Sequence, residues 1–205
     1  MAKLTLTTFL TLDGVMQGPG GPAEDPSGGF EYGGWVVPFA DEGMSRFMIE
    51  VLDRAGAFLL GRRTYEIFAG YWPKVTDPAD PIASRLNGLP KYVASTTLDP
   101  RTVSWEGTRV IHSEVPAEVA RLKETLPEGE LQIHGSGALA HSLMARDLID
   151  EYHLLVFPVV LGTGRRLFTE GALPTSFSRI SSRTTESGIA IHTLRPTGRP
   201  AFGSF

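Results

Sequence analysis

The chain of 205 residues contains no cysteine. Without thiols it cannot form disulfides, thiolate zinc sites or iron–sulfur clusters, and it has no cysteine nucleophile. It also lacks the patterns G-x-x-x-x-G-K-[ST] and G-x-S-x-G, which argues against a P-loop NTPase and against a hydrolase with a nucleophile elbow. The five histidines form no i, i+4 pair and no carboxylate cluster of metal-ligand spacing, so we expect no metal site.

The chain also has no basic excess and no long apolar run. Its formal net charge of −4 argues against general binding to nucleic acid or to a membrane surface. No segment approaches the roughly eighteen uncharged apolar residues of a membrane helix, and residues 1–8 lack the basic start of a signal peptide. Because 41% of the residues are hydrophobic and 20% are charged, we expect a soluble cytoplasmic protein without nucleic-acid or membrane partners.

Hydrophobic periodicity predicts alternating strands and helices, followed by a hairpin. Strands are predicted over residues 3–12, 57–60, 92–94, 108–111, 131–133, 151–160, 177–185 and 189–194, and helices over 41–55, 82–86, 117–126 and 138–146, with another helix opened by Thr64. This order predicts an α/β fold with a mostly parallel central sheet extended by antiparallel C-terminal strands. We expect a single domain over residues 1–205, with residues 196–205 as a C-terminal tail.

Three of the predicted strands run into loops of glycine or hydroxyl-bearing residues. In an open α/β sheet, ligands bind beyond the carboxyl ends of the strands, where helix N-termini present free N–H groups to phosphates. Adjacent arginines suit a terminal phosphate such as the 2′-phosphate of NADP. The candidate cofactor-binding residues are Gly61, Arg62, Arg63 and Thr64 in the first loop, Ser95, Thr96 and Thr97 in the second, and Gly135, Ser136, Gly137, Ala138 and Leu139 in the third.

Each loop also has a plainer interpretation. Residues 61–64 could form a tight strand-to-helix turn with two solvated arginines, and residues 95–97 a turn rich in hydroxyl groups. Residues 135–140 match G-x-G-x-x-A, but they lie outside the first βα unit, and no acidic residue completes a Rossmann fingerprint. A pyrophosphate turn in another dinucleotide-binding fold is therefore favoured.

A stretch over residues 18–34 holds seven glycines and three prolines. A loop of this length in a compact domain is typically a functional lid or a disordered segment. Its Phe30 and Tyr32, and Trp35 directly after it, favour a loop that folds over another part of the protein.

Three polar residues are candidates for proton transfer or substrate contact. Asp13 follows the first strand, Glu42 lies at the start of the first predicted helix, and His134 directly precedes the Gly135 turn. The alternatives are a turn aspartate, an acidic residue that favours a helix N-terminus, and a strand-end histidine with satisfied hydrogen bonds.

Four segments in order resemble the dihydrofolate reductase fold. They are Thr11-Leu12-Asp13-Gly14, the run from Leu60 to Glu66, the Gly135-Ser136-Gly137 turn and the run from Phe157 to Phe168. The similarity extends over about residues 4–194. It is to the branch that contains the reductase domain of the bifunctional riboflavin-biosynthesis deaminase–reductase and its stand-alone relatives.

This resemblance implies a three-layer fold, NADPH as the hydride donor and a homodimer. It places the 2′-phosphate and pyrophosphate at residues 61–64, the adenosine side at residues 95–97 and the pyrophosphate at residues 135–139. It also implies a heterocyclic substrate beside the nicotinamide, with Trp35 and Phe157 as substrate contacts.

The chain differs from riboflavin-type reductases, which usually have Glu-Gly-Gly where this sequence has His134-Gly135-Ser136. Its first helix offers only Asp41 and Glu42 as carboxylates for protonating a pterin. The leading hypothesis is an NADPH-dependent reductase of a pyrimidine- or pterin-like ring. The alternatives are a non-catalytic NADP(H)-binding sensor or partner protein and an interaction protein that uses its C-terminal tail.

Overall fold

The computed structural model describes residues 1–204, whose strands form one mixed sheet in the order β4-β3-β2-β5-β1-β6-β8-β7. The strands are β1 (Leu4–Thr11), β2 (Ala55–Gly61), β3 (Lys91–Ala94), β4 (Thr108–Ile111), β5 (Glu130–His134), β6 (Glu151–Phe157), β7 (Ser176–Thr184) and β8 (Ala190–Gly198). Strands β1 to β6 pair in parallel, whereas β8 is antiparallel to β6 and β7 is antiparallel to β8. The predicted sheet is therefore confirmed.

Helices cover both faces of this sheet. They are α1 (Glu42–Leu52), α2 (Arg62–Tyr71), α3 (Pro81–Gly88), α4 (Val115–Thr125) and α5 (Gly137–Met144). No helix within residues 1–204 is long and apolar enough to cross a membrane.

The alternation of side chains along the strands divides the core into two halves. Leu6 of β1 packs in one cluster with Leu122 of α4 and Leu143 of α5. On the opposite face, Phe58 of β2 packs in a second cluster with Leu86 of α3. Because successive side chains of a strand point to opposite faces, one short run of buried residues supplies both halves of the core. The result is the three-layer arrangement that the resemblance implied.

Several predicted boundaries are wrong. Helix α2 begins at Arg62 rather than at Thr64, because Gly61 is already its N-cap. Strand β6 ends at Phe157, before Pro158, which has no N–H to continue the ladder. Strand β8 continues to Gly198, so the first three residues of the predicted tail are strand. Phe205 of that tail lies outside the described residues.

The strand order also creates a point where the direction of chain progression reverses. From β1 the chain moves to β2, β3 and β4 on one side, then returns to place β5 between β2 and β1. Crevices at the carboxyl ends of strands beside such a reversal are the usual binding sites of α/β folds. The reversal places the loops after β3, β2 and β5 next to one another.

Candidate functional site

A cavity of about 1620 Å³ lies at the carboxyl ends of β3, β2 and β5. The structure brings together here every residue that the sequence marked for cofactor binding. They are Gly61, Arg62, Arg63, Thr64, Ser95, Thr96, Thr97, Gly135, Ser136, Gly137, Ala138 and Leu139. The three loops therefore share one site.

Hydrogen bonds between the loops fix their relative positions. The Gly61 N–H donates to Ser136 Oγ (3.0 Å), and the Ser136 N–H donates to Thr64 Oγ1 (3.2 Å). On the other side, Arg62 Nη1 donates to Thr97 Oγ1 (2.7 Å). Thr64 thus joins the first loop to the third.

The helices that begin at the cavity have free N-termini. In the described part of the chain, no side chain caps α2 or α5, whereas α1 and α3 are capped by Asp41 and Asp80. Gly135 and Ser136 adopt left-handed backbone conformations, with φ of 56° and 54°, in the turn that begins α5. Uncapped first-turn N–H groups and the positive end of the helix dipole favour an anionic group in this part of the cavity.

Arginines add positive charge beside these helix ends. Arg62 is half-exposed and donates to Glu66 Oε1 (2.7 Å) one turn along α2. Arg63 pairs with the buried carboxylate of Asp25 (3.3 Å), which also accepts from Arg165. An anion that enters here meets two arginines that already share a carboxylate.

The glycine-rich stretch after β1 folds over the cavity. Gly18, Pro19, Gly20, Gly21, Glu24 and Asp25 line it, and the pairing of Asp25 with Arg63 and Arg165 ties the stretch to α2 and to the segment after β6. Gln17 reinforces the tie, since its amide donates to Asp25 O (3.0 Å) and its Oε1 accepts from the Arg165 N–H (3.0 Å).

His134 lies in the floor of the cavity and is almost fully buried. Its Nε2 is 3.1 Å from Gln132 Oε1, and the Gln132 amide donates to Val51 O (2.7 Å) and Glu130 Oε2 (3.0 Å). The amide oxygen of Gln132 therefore accepts, so the network assigns the ring proton to Nε2. Burial, together with the nearby His153, lowers the pKa of His134 to about 4. The ring is neutral at pH 7.

Asp13 is not among the residues that line the cavity. Its carboxylate accepts from Thr11 Oγ1 (2.6 Å), from the Leu161 and Gly162 N–H groups and from Arg166. These donors hold the pKa of Asp13 well below its usual range. The arrangement fastens the loop after β6 to the end of β1.

Glu42 is also not in the cavity, since its side chain is 96% exposed. The lining residues of α1 are Met44, Met48 and Leu52, spaced four residues apart. Glu42 precedes Met44 by two positions and therefore points to the other side of the helix. The structure places no carboxylate of α1 in the lining of the cavity.

Trp35 and Phe157 belong to the core rather than to the lining. Phe157 is 0% exposed, and its ring centroid is 5.3 Å from that of Trp35. The indole N–H of Trp35 donates to Gln17 O (2.8 Å), so the one polar group of this side chain is already hydrogen-bonded within the protein. Phe9 of the same aromatic cluster does line the cavity. The face of Phe157 is covered because α1 and the segment before it pack on β6.

Sequence reasoning missed several lining residues. Glu24 is the clearest, because burial raises the pKa of its carboxyl above the usual range. The sequence feature that could have indicated Glu24 as a lining residue is the pair of acidic residues, Glu24 and Asp25, inside a glycine- and proline-rich stretch. Arg165 carried a similar signal, as it follows Gly164 in a second pair of adjacent arginines.

The sheet order, the three layers and the position of the cavity define a protein of the dihydrofolate reductase-like fold. Two solved structures agree. A pyrimidine reductase-like protein from Corynebacterium diphtheriae has a TM-score of 0.65 at 14% identity, covering 95% of this chain and 92% of that one. Dihydrofolate reductase from Enterococcus faecalis, complexed with NADP(H), has a TM-score of 0.59 at 16% identity, covering 95% and 96%.

The chain belongs to the RibD C-terminal domain family, which matches residues 2–191. It is also similar to the uncharacterized protein YyaP of Bacillus subtilis (strain 168), with 26% identity over 192 residues and 91% of each chain covered. The family resemblance found in the sequence is confirmed.

Proposed function

We propose that this protein is an NADPH-dependent reductase of a pyrimidine- or pterin-like ring. The observation that carries the proposal is the convergence of three loops and two uncapped helix N-termini on one cavity, with Arg62 and Arg63 beside them. Membership of the RibD C-terminal domain family supports a reductase, and the likeness to a dihydrofolate reductase complexed with NADP(H) supports the cofactor.

The residues present fit a phosphorylated dinucleotide. The first-turn N–H groups of α2 and α5 would hold the pyrophosphate, Arg62 and Arg63 the 2′-phosphate, and Ser95 to Thr97 the adenosine side. Bound there, NADPH supplies the hydride. The protein's own contribution is to orient the two partners and to exclude water with residues 18–34.

For proton delivery, the positions of the three side chains suggested by the sequence favour another carboxyl group, acting directly or through water. Asp13 is held ionised outside the lining, and Glu42 is exposed to solvent. His134 is neutral at pH 7, so its role is hydrogen bonding rather than proton donation. Glu24 is a carboxyl in the lining whose pKa is raised, and we propose that it delivers the proton, directly or through water.

Titration with NADPH and with NADH, followed by calorimetry, tests the cofactor proposal. Replacing Arg62 or Arg63 by Ala should weaken NADPH binding by about ten- to a hundredfold, since a hydrogen bond to a charged group contributes about 1.5–3 kcal/mol. NADH binding should barely change. Arg121→Ala is the control, because Arg121 pairs with Glu118 on α4 and is not among the lining residues.

Equal losses for both cofactors would show that the arginines do not read the 2′-phosphate. If neither NADPH nor NADH binds, the three loops are ordinary turns and the reductase proposal fails.

A non-catalytic NADP(H)-binding sensor is the second candidate. It is favoured by the absence of Asp13 and Glu42 from the lining, within the residues that the structure describes. Glu24→Gln separates the two functions when assayed on a panel of pyrimidines and pterins. A reductase should lose turnover and keep NADPH affinity, whereas a sensor shows no turnover with either form.

Two further expectations belong to the same proposal. The family resemblance implies a homodimer, and the composition is typical of a cytoplasmic protein. Sedimentation equilibrium of the purified protein measures whether it is a homodimer.

A further inference from the structure

The carboxylate of Asp25 is a buried charge in the lining of the cavity. Its side chain is only 8% exposed. Its Oδ2 accepts from Arg63 Nη1 (3.3 Å) and from Arg165 Nη2, and its Oδ1 accepts from Ser27 Oγ (2.6 Å). Because both oxygens have partners, hydrogen bonds and opposite charge compensate the loss of hydration of this carboxylate.

The two arginines that hold Asp25 are open to the cavity. The side chains of Arg63 and Arg165 are half-exposed, and both residues belong to the lining. Within residues 1–204, the Arg63 side chain makes no other hydrogen bond, whereas Arg62 donates to Glu66 and to Thr97. Since a guanidinium group has several N–H donors in a planar fork, Arg63 can still donate to a ligand.

Asp25 also holds the middle of the glycine-rich stretch in place. The ends of the stretch are anchored elsewhere, because the Gly34 N–H donates to Gly18 O (2.8 Å) and Phe30 packs in the core. Residues 23–27, here called the tip, are joined to α2 only through Asp25 among the hydrogen bonds of residues 1–204. Their bonds to the segment after β6 come from Arg165, which donates to Asp25 and to Ser27 Oγ (2.8 Å).

We infer that Asp25 is an internal competitor for the arginines of the cavity, and that the phosphate of an entering ligand displaces it and releases the tip. A phosphate suits the guanidinium fork and brings more charge and more acceptor oxygens than a carboxylate. The two anions cannot both stay against Arg63 and Arg165 without repulsion between like charges.

The exchange is local, because the anchors at Gly18, Phe30 and Gly34 do not involve the arginines. Residues on either side of the tip therefore stay over the cavity when the tip moves. This inference rests on the phosphate binding that the proposed function requires, but it does not depend on hydride transfer.

Binding of inorganic pyrophosphate, measured by calorimetry, tests the competition. Asp25→Asn keeps the shape of the side chain and removes its charge, so it should tighten pyrophosphate binding by about tenfold or more. Asp147→Asn is the matched control, because Asp147 pairs with Arg199 (2.6 Å) and does not line this cavity. The control should leave the affinity unchanged.

Arg165→Gln separates competition from simple loosening of the tip. This change removes one tie of the tip, and it also removes a cation that the phosphate would contact. The tip should become more mobile, yet pyrophosphate binding should weaken by about tenfold or more. If loosening alone governed access, both Asp25→Asn and Arg165→Gln would bind pyrophosphate more tightly, and that result would overturn the inference.

A nitroxide label on Ala23→Cys reports the motion of the tip. Ala23 is exposed and does not line the cavity, and the chain has no cysteine of its own, so the label has a unique position. Saturating pyrophosphate should increase the mobility of this label in the electron paramagnetic resonance spectrum. A label on Ala117→Cys, at an exposed position of α4, is the control and should not respond.

Unchanged or weaker pyrophosphate binding by Asp25→Asn overturns the inference, and so does failure of pyrophosphate to bind either form. A label at residue 23 that ignores pyrophosphate also overturns it, and this measurement needs no change at Asp25 and so does not depend on the stability of that variant. NADPH binding that Asp25→Asn fails to tighten would keep the cofactor proposal and reject the competition. Tighter pyrophosphate binding without any NADPH binding would keep the competition and reject the reductase.

Discussion

At the scale of single residues, a row of polar side chains, buried except for the half-exposed Arg54, crosses the sheet below the cavity. Glu130 accepts from Arg54 Nε (3.0 Å), and Arg54 Nη2 lies 3.4 Å from His153 Nε2. Glu130 also accepts from the Gln132 amide, whose oxygen in turn accepts from His134 Nε2. Because every member has a partner in the row, the floor histidine keeps one tautomer and one orientation.

The two buried histidines predict how stability depends on pH. Burial lowers the pKa of His134 and of His153 to about 4, from the ordinary value of 6.5. Between these values the unfolded chain binds protons that the folded chain does not, so the free energy of unfolding should fall as pH drops from 6.5 to about 4. Each histidine should contribute up to about 1.4 kcal/mol per pH unit in this window.

Urea unfolding at a series of pH values measures this slope. His153→Gln should flatten it, while the exposed His112→Gln is the control and should leave it unchanged. Asp13 and Asp41, whose pKa values are held below their usual range by hydrogen bonds, lose their stabilising effect only below about pH 4. If the slope is unchanged in both His153→Gln and His134→Gln, the pH dependence of stability does not come from these two histidines.

At the scale of the elements, the start of β2 depends on two glycines in close backbone contact. The register between β2 and β5 shifts between Ala55 and Ala57, around Gly56. A Cβ on Gly56 would lie 2.0 Å from Glu128 O, and one on Gly129, whose φ is 79°, would lie 2.6 Å from Gly56 N. The two backbones can approach this closely only without side chains.

Gly56→Ala should therefore destabilise the protein by about 2–3 kcal/mol or more, because backbone atoms must move to admit the methyl group. Gly70→Ala is the matched comparison, since Gly70 lies in α2 with open space at its Cβ position. This second change should stabilise the protein by about 0.5–1 kcal/mol through helix propensity. Thermal unfolding of both variants measures the difference, and a neutral Gly56→Ala would show that the bulge can relax.

At the scale of the whole molecule, the cavity joins parts of the chain that are far apart in sequence. Gly61 and Ser136, separated by 75 positions, share a hydrogen bond, and Asp25 pairs with Arg165 across 140 positions. A ligand that contacts these segments together binds only the folded chain. Its binding must therefore raise the stability of the whole domain.

NADPH at a hundred times its Kd should raise the free energy of unfolding by about 2.7 kcal/mol. NADH at the same concentration should raise the free energy of unfolding less, because NADH lacks the 2′-phosphate that Arg62 and Arg63 would bind. Thermal shift assays with each cofactor measure the effect. Equal shifts for both cofactors would contradict the proposed role of the arginines, and no shift for either would contradict binding.

The sequence by itself determined the alternation of strands and helices and the three loops at strand ends. These depend on periodicity and on glycine and hydroxyl residues, which act over a few positions, so a local pattern is enough to predict them. The same local character explains the errors. The start of α2 and the end of β8 involve contacts with other parts of the chain, since the Gly61 N–H donates to Ser136 Oγ and Gly198 of β8 pairs with Ser176 of β7.

Only the tertiary structure decided which polar and aromatic residues face the cavity. Asp13 follows the carboxyl end of β1, yet its carboxylate already accepts hydrogen bonds from Leu161, Gly162 and Arg166. Phe157 is covered by the side chains that pack against it in the core. Glu24 enters the lining because its stretch is tied down by contacts from α2 and from the segment after β6. The residues that determine this burial and pairing lie far away in the sequence, from 38 positions between Asp25 and Arg63 to 149 between Asp13 and Gly162, and no local pattern encodes them.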